Sequence, residues 1–258
     1  MKIARIRYDN SISYASVGSG EYFLIEGSIF DGNNWQVTSV SIPQNEAVLL
    51  APVRPPHLYA IGLNYAAHVD EFKNIDPTRA NPKAPITFLC ASTAVAAPGE
   101  PIRIARPDHN TDYEAELVVV MGRRCTNVTA EEALDYVFGY TCGNDVSDRN
   151  YQNQDKQWLR AKSLPTYKPM GPYIATGIAD PQKLSVKSFL NGELRQDGNT
   201  CDMLFSCAQL IAHISSFTTL VPGDVIYTGT PVGVGHLAAG DIITVEIEQI
   251  GRLTNTVM

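Results

Sequence analysis

Residues 112–122, DYEAELVVVMG, combine two carboxylates with a solid apolar run. A run of Leu, Val and Met of this length predicts a strand that is buried on at least one face. Side chains two residues apart share a face of a strand, so Glu114 and Glu116 point the same way as Val118 and Val120. Two like charges beside buried residues are costly unless a partner compensates them. A divalent cation is one such partner, and a solvated edge strand is the alternative interpretation.

A third acid lies in residues 143–150, GNDVSDRN, which follow a short predicted strand at 140–142. Asp145 in this stretch offers the carboxylate that a metal site with Glu114 and Glu116 needs. Three carboxylates with no His or Cys nearby are typical of a hard cation, Mg²⁺, Mn²⁺ or Ca²⁺, with water in the remaining positions. We therefore predict Glu114, Glu116 and Asp145 as metal ligands.

His68 and Glu71 form a second candidate cluster. Residues 64–72, NYAAHVDEF, predict a short helix, and side chains three residues apart lie on one face of a helix. The carboxylate can orient the imidazole and raise its basicity, which gives a general base able to deprotonate water. A surface pair is the alternative. Residues 73–85 carry three prolines and predict a mobile loop of the kind that serves as a lid.

The composition excludes several classes of partner. The chain has 258 residues and a net charge of -7, with no Lys/Arg cluster, so neither nucleic acid nor an anionic membrane surface is expected to bind. It has no apolar run of about 18 residues, which predicts no membrane span. Five scattered cysteines without a C-x-x-C motif indicate a reducing compartment. We expect a cytoplasmic protein.

The chain divides into a small N-terminal β module at residues 1–55 and a larger domain at 56–258. Turn residues at 31–34 and prolines at 52, 55 and 56 support this division. The larger domain is β-rich with a few helices, an α+β pattern, and lacks the regular βαβ alternation of a doubly wound sheet.

Several elements are predicted from local patterns. Strands are expected at 58–62, 225–228 and 242–247, a hairpin turn at Asn191-Gly192, and an amphipathic helix at 206–217 with Leu210, Ile211 and Ile214 inward. Another helix is predicted from the capping box that Thr129 and Glu132 form. It carries Ala133, Leu134, Val137 and Phe138 on one face and ends at Gly139.

The order of six stretches resembles the fumarylacetoacetate hydrolase family. The resemblance runs from about residue 58 to the C-terminus, and residues 1–50 look like the small module that many bacterial members carry before the catalytic domain. The six stretches are IGLNYAAHVDEF (61–72), DYEAELVVVMG (112–122), NDVSDRNYQ (144–152), RAKSLPTYKPMGPYI (160–174), NGELRQDG (191–198) and YTGTPVGVG (227–235). The resemblance implies a mixed β-roll, usually a homodimer, with one Mg²⁺ or Mn²⁺ on Glu114, Glu116 and Asp145.

The resemblance also implies roles for individual side chains. His68 and Glu71 match the family's H-x-x-E lid dyad, which positions water, and Lys162 matches a lysine that stabilises developing negative charge. Substrate oxygens are expected to contact residues that match an R-x-x-Q motif and the threonine of TGTP. These are Arg149, Gln152 and Thr230.

Two segments depart from the family pattern. Members commonly read F-x-K-P where this chain has Phe88-Leu89-Cys90-Ala91, so Cys90 replaces a frequent active-site lysine. The segment after Lys162-Ser163 often reads D-T-F, and here it is LPTY at 164–167. A lost charge-assisted contact is worth about 1.5–3 kcal/mol, a large but partial loss of rate.

The implied function is metal-dependent C–C hydrolysis of an acylpyruvate-like or diketo acid, in the breakdown of small or aromatic-derived molecules, with release of a 2-oxo acid. Decarboxylation of an oxaloacetate-like acid and isomerisation of a dienol are alternatives, because the family uses one metal core for all three and the fold does not choose among them. An inactive relative that binds ligand without turnover is a further alternative.

Overall fold

The computed structural model describes residues 1–32, 34–73 and 80–258. Residues 74–79, six of the 13 residues of the predicted lid, lie outside these ranges, so the lid stays a prediction. Every helix within the described ranges is too short or too polar to cross a bilayer.

Strands dominate the described chain. The N-terminal strands are β1 (Lys2–Tyr8), β2 (Ser11–Val17), β3 (Glu21–Gly27), β4 (Trp35–Pro43) and β5 (Val48–Leu50). The later strands are β6 (Leu58–Gly62), β7 (Ile86–Cys90), β8 (Val95–Ala96), β9 (Thr111–Tyr113), β10 (Ala115–Met121), β11 (Val137–Asn144), β12 (Ser147–Asp148), β13 (Lys168–Ala175), β14 (Ser185–Leu190), β15 (Glu193–Asn199), β16 (Val225–Tyr227), β17 (Gly235–His236), β18 (Ile242–Ile247) and β19 (Gly251–Thr256).

The helices are short. They are α1 (Ala66–Lys73), α2 (Arg149–Gln154), α3 (Leu159–Lys162) and α4 (Cys207–Ser215), with 3₁₀ turns at Gln44–Glu46, Ser92–Ala94, Ala133–Tyr136 and Thr200–Asp202. The predicted strands at 58–62, 225–228 and 242–247 and the helix at 206–217 are confirmed within a few residues. Leu210, Ile211 and Ile214 of α4 are buried, as predicted.

One large sheet organises the molecule. Its order is β4-β3-β2-β1-β13-β11-β10-β16-β6-β7, with β5 on β1 and β8 on β13. Because β1 pairs with β13, the N-terminal strands continue the main sheet. Two smaller sheets, β12-β9-β17 and β15-β14-β18-β19, complete the fold. The strand-rich, mixed arrangement confirms the predicted β-rich α+β class, a mixed β-roll with a small N-terminal β module.

Strand β10 lies inside the large sheet, between β11 and β16. One of its faces places Leu117, Val119 and Met121 in a core that includes α4, and the other places Val118 and Val120 in a second core. The alternation predicted from the sequence is therefore confirmed. The edge-strand interpretation of the glutamate pair is wrong.

The helix predicted after Thr129 is also wrong. Only a 3₁₀ turn forms at Ala133–Tyr136, and the chain enters β11 at Val137. The side chain of Glu132 does reach the hydroxyl and backbone N–H of Thr129, at 3.4 Å. Pairing of β11 with β10 overrides this local signal, because it buries the strand that carries Asp145 at its end. Gly139, the predicted helix stop, lies in β11, where an added Cβ would lie 2.6 Å from the carbonyl oxygen of Ala175.

The hairpin predicted at Asn191-Gly192 is confirmed by the pairing of β14 with β15. Both turn residues have positive φ, 54° and 85°, as a two-residue hairpin turn requires. Replacing Gly192 with Ala should lower the free energy of unfolding by about 1 kcal/mol, because an L-residue is strained at this φ. An added Cβ meets nothing within 4 Å, so the backbone alone accounts for the loss.

Urea unfolding measures this change. The exposed neighbour is the matched control, and Glu193→Ala should change stability by less than about 0.5 kcal/mol. Equal midpoints for Gly192→Ala and the wild type would show that the turn does not adopt this geometry.

Candidate active site

Two adjacent strands bring the three predicted metal ligands together. Glu114 directly precedes β10, Glu116 is the second residue of β10, and Asp145 directly follows β11. The ladder pairs Glu116 with Gly143, and the backbone N–H of Asp145 donates to the carbonyl oxygen of Glu114 at 2.9 Å. All three side chains are buried, and one carboxylate oxygen from each lies within 4.8 Å of the others. We call these three residues the acid triad.

Two of the triad acids are paired with cations, the buried Lys162 and the half-buried Arg149. The Lys162 ammonium lies 2.7 Å from Glu114 Oε2 and 2.8 Å from Asp145 Oδ2, so it bridges both carboxylates. Arg149 donates to Glu114 Oε1 and to Asp112 Oδ2, both at 2.7 Å. Removing one partner from a buried pair leaves an uncompensated charge, so each of these contacts constrains the others.

Glu116 differs from its neighbours. Its Oε2 accepts a hydrogen bond from the backbone N–H of Gly229 at 2.7 Å, and no ion pair to it occurs among the described residues. Burial raises the pKa of Glu116 well above its usual value, and the negative charges of Asp145 and Glu114 raise it further. For Glu114, burial also raises the pKa, but Lys162 and Arg149 outweigh it and leave the pKa well below the ordinary value.

The triad fits a divalent cation. Three buried carboxylates converge on one point, and the Lys162 ammonium already takes the place of a cation between two of them. Oxygen donors without sulfur or imidazole suit Mg²⁺ or Mn²⁺. A cation at this point would also remove the repulsion that raises the pKa of Glu116.

The second predicted cluster, His68 with Glu71, is also assembled. Nδ1 of His68 lies 2.8 Å from Glu71 Oε2, and Glu71 Oε1 accepts from the backbone N–H of Gly233 at 2.9 Å. The side-chain amide of Asn64 donates to the carbonyl oxygen of Thr228 at 2.7 Å and so fixes the turn before α1. His68 is buried and lines the same cavity as Glu114 and Glu116, so the surface-pair alternative is wrong.

The cavity has about 480 Å³ of free volume and is lined by both polar and apolar side chains. Its lining residues are Ile61, Gly62, Leu63, His68, Asn110, Asp112, Glu114, Glu116, Arg149, Gln152, Asn153, Trp158, Lys162 and Thr230. We call its large apolar side chains, Ile61, Leu63 and Trp158, the apolar wall and its polar side chains the polar wall. An added Cβ at Gly62 would lie 2.3 Å from the Trp158 ring, so this wall requires glycine there.

The three predicted substrate-binding residues all line the cavity. Arg149 Nη1 donates to Gln152 Oε1 at 2.6 Å, which links the two side chains on the polar wall. The hydroxyl of Thr230 donates to the carbonyl oxygen of Ala115 at 2.8 Å and accepts from Gln196 Nε2 at 2.7 Å. The geometry places these residues at the site, and their contacts with substrate stay predictions.

Several residues of the site were not predicted from the sequence. Asn64 and Trp158 carry no local signal, because their roles depend on contacts far along the chain. Lys168 is completely buried and pairs with Asp145 Oδ1. A lysine at the head of the apolar stretch 168–175, KPMGPYIA, is a signal that could have identified it, since a buried lysine requires a partner.

Comparison with known proteins supports the family resemblance found in the sequence. A model of the fumarylacetoacetate (FAA) hydrolase C-terminal family matches residues 57–258, and a model of Rv2993c-like N-terminal modules matches residues 1–52. An uncharacterised protein of Archaeoglobus fulgidus is 44% identical over 234 residues, which cover 90% of this chain and 91% of that protein. A mitochondrial oxaloacetate tautomerase of Xenopus laevis is 41% identical over 222 residues, 81% of this chain and 68% of that protein.

A solved structure has the same fold over the whole chain. It is the crystal structure of 5-carboxymethyl-2-hydroxymuconate delta-isomerase from Mycobacterium smegmatis, with 38% identity and a TM-score of 0.90 over 100% of this chain and 99% of that one. The resemblance predicted from the sequence is confirmed, and the matched region contains the whole acid triad, the His68–Glu71 pair and Lys162. The chain belongs to the fumarylacetoacetate hydrolase family and carries an Rv2993c-like N-terminal module.

Proposed function

We propose that this chain is a divalent-metal-dependent enzyme that moves a proton on the enolisable carbon of a 2-oxo acid, as a keto–enol tautomerase does. The observation that carries the proposal is a buried histidine, His68, which is hydrogen-bonded to Glu71 and lines the same cavity as Glu114 and Glu116 of the acid triad. The tautomerase and isomerase names of the two relatives described above support this type of reaction.

Glu114, Glu116 and Asp145 would hold Mg²⁺ or Mn²⁺. When bound, the ion supplies a Lewis acid that stabilises negative charge on the substrate oxygens. Lys162, released from the bridge between Glu114 and Asp145, donates to a substrate oxygen that gains charge.

The proton is carried by His68. Its imidazole takes the proton from the carbon next to the keto group and gives it to the enolate oxygen, or carries it in the reverse direction from enol to keto, and Glu71 stabilises the imidazolium in between. Arg149 and Gln152 hold a substrate carboxylate on the polar wall. Thr230 donates to the substrate only after its hydroxyl gives up the hydrogen bond to Ala115.

Hydrolysis of a C–C bond in an acylpyruvate-like acid is the second candidate, and the His68–Glu71 pair favours it, because the same base can deprotonate water. The hydroxide attacks the distal carbonyl, Lys162 donates to the oxyanion, and the C–C bond breaks to give a carboxylate and the enol of a 2-oxo acid. The apolar wall at Ile61, Leu63 and Trp158 would accept the distal group.

A substrate panel distinguishes these reactions. Enol-to-keto conversion of oxaloacetate is followed by absorbance, and pyruvate release is followed from oxaloacetate and from acetylpyruvate, each with Mg²⁺, Mn²⁺ or chelator. Metal-dependent loss of the enol without pyruvate release is the expected result. Pyruvate from acetylpyruvate would establish the hydrolase instead, and pyruvate from oxaloacetate a decarboxylase. Absence of turnover with metal bound would favour the alternative that this chain is an inactive relative that binds ligand.

Replacing His68 with Asn should lower kcat by about 10²–10⁴-fold, since the proton carrier is lost. Glu71→Gln keeps a hydrogen-bond partner but removes the negative charge, so the expected loss is smaller. His213→Asn, on α4 and outside the cavity, is the matched control. Steady-state kinetics measure the effect, and an unchanged kcat for His68→Asn would contradict the proposed role.

Glu116→Gln should uncouple stability from pH and from metal. A carboxyl whose pKa is raised on folding stabilises the fold below the ordinary Glu range, and this stabilisation is lost as pH rises. The metal-free wild type should therefore lose stability between about pH 5.5 and about pH 8, where the ordinary Glu carboxyl is already ionised. The pKa of Glu114 is lowered on folding, so its ionisation affects stability only at pH values below this window.

Urea unfolding at both pH values, with chelator or Mn²⁺, measures this change. Mn²⁺ at 100 times its Kd should stabilise the wild type by about 2.7 kcal/mol and Glu116→Gln far less. In chelator, Glu116→Gln should exceed the wild type in stability at the higher pH. The exposed Glu193→Gln should behave as wild type in every condition. Equal Mn²⁺ stabilisation of wild type and Glu116→Gln would contradict the metal site.

The homodimer expected from the family resemblance is also a proposal, together with a cytoplasmic location and a 2-oxo acid as the small-molecule partner. Exposed Leu89 on edge strand β7 lies near exposed Leu159 and Phe217, and all three line one apolar groove. Such a patch is typical of a protein–protein interface. Light scattering should give twice the 28.2 kDa mass of one chain.

A further inference from the structure

Lys168, the first residue of β13, is the most deeply buried cation of the site. It has no solvent exposure, its ammonium pairs with Asp145 Oδ1, and it donates to the carbonyl oxygen of Tyr167 at 3.1 Å. Removing an ammonium from water is unfavourable unless ion pairs and hydrogen bonds in the protein compensate the lost hydration. The family resemblance assigns no role to position 168, so the lysine there requires its own explanation.

The two lysines divide the oxygens of Asp145 between them. Lys162 takes Oδ2, which it bridges to Glu114, and Lys168 takes Oδ1. A cation that binds the triad competes with Lys162 for the bridged oxygens. Lys168 lies on the other oxygen of Asp145 and has no contact with Glu114 or Glu116 among the described residues. It can therefore orient Asp145 with or without a metal present.

Position 90 lies close to Lys168 and Asp145. Cys90 ends β7, is buried, and interacts electrostatically with Lys168, Asp145 and Lys162. From Cys90 the chain continues into β8, which pairs with β13 through Val95 and Lys168. Burial raises the pKa of the Cys90 thiol to about 11, so this side chain is neutral at physiological pH.

We propose that Lys168 is a positioning residue that holds Asp145 for a divalent cation, and that it supplies from β13 the buried positive charge that the family resemblance expects at position 90. Cys90 and Lys168 then form one exchangeable pair, a small neutral side chain and a long cationic one that interact electrostatically. The inference rests on the metal site of the proposed function. It explains why the departure at Cys90 leaves the charge balance of the site intact.

Mn²⁺ affinity without substrate tests this role directly, by titration followed by electron paramagnetic resonance. Lys168→Met should weaken Mn²⁺ binding by about 10–100-fold, as loss of a side chain that orients a metal ligand typically does. Lys183→Met, at an exposed lysine, is the matched control and should bind as wild type does.

The exchange variant Cys90→Lys/Lys168→Cys separates this role from a general need for packing. It should fold and should bind Mn²⁺ to within a few-fold of wild type, because an ammonium at the end of β7 would again reach Asp145. If Lys168→Met does not fold, the Mn²⁺ affinity of the exchange variant alone tests the role of Lys168.

Three results would overturn the inference. One is wild-type Mn²⁺ affinity in folded Lys168→Met. Another is an exchange variant that fails to fold or binds no better than Lys168→Met. The third is a wild type that does not bind Mn²⁺ at all, which removes the metal site and this inference together, whereas the first two leave the metal site in place.

Discussion

The burial of three carboxylates at one point is the constraint on which the rest of the site depends. Glu114 and Glu116 share the face of a strand that lies inside the large sheet, and Asp145 is brought beside them by the neighbouring strand. Charges in such a place must be compensated. Lys162 and Lys168 provide compensation on two sides of Asp145, and Arg149 provides it at Glu114. Glu116 is left with only a backbone donor, and this imbalance is what a divalent cation would relieve.

The segment that follows β16 also positions His68, the proposed proton carrier. Glu71 is tied to the backbone of Gly233, in the turn that follows β16, while Gly229 in that turn donates to Glu116. One turn therefore contacts both the acid triad and the dyad that contains His68. A dyad fixed in this way holds its imidazole at a set position relative to the acid triad, which is the arrangement that the proposed proton transfer requires.

The sequence predicted those features that depend on local periodicity. The two-residue period of 114–120 predicted the shared face of the glutamates, the Asn191-Gly192 pair predicted its hairpin, and the pattern around Leu210 predicted α4. Local signals failed where long-range pairing decides. The capping residues after Thr129 could not outweigh the ladder between β10 and β11. Lys168 was missed because its partner, Asp145, becomes a neighbour only when β13 joins the sheet.

We expect the acid triad to bind a divalent cation in the place that Lys162 now bridges. Anomalous diffraction at the manganese edge, from crystals soaked with Mn²⁺, would locate this cation. The expected result is one strong peak coordinated by Glu114, Glu116 and Asp145, with Lys162 moved away from at least one of its two carboxylates and Lys168 still paired with Asp145. No peak between the three acids, with Lys162 still bridging Glu114 and Asp145 at saturating Mn²⁺, would contradict it.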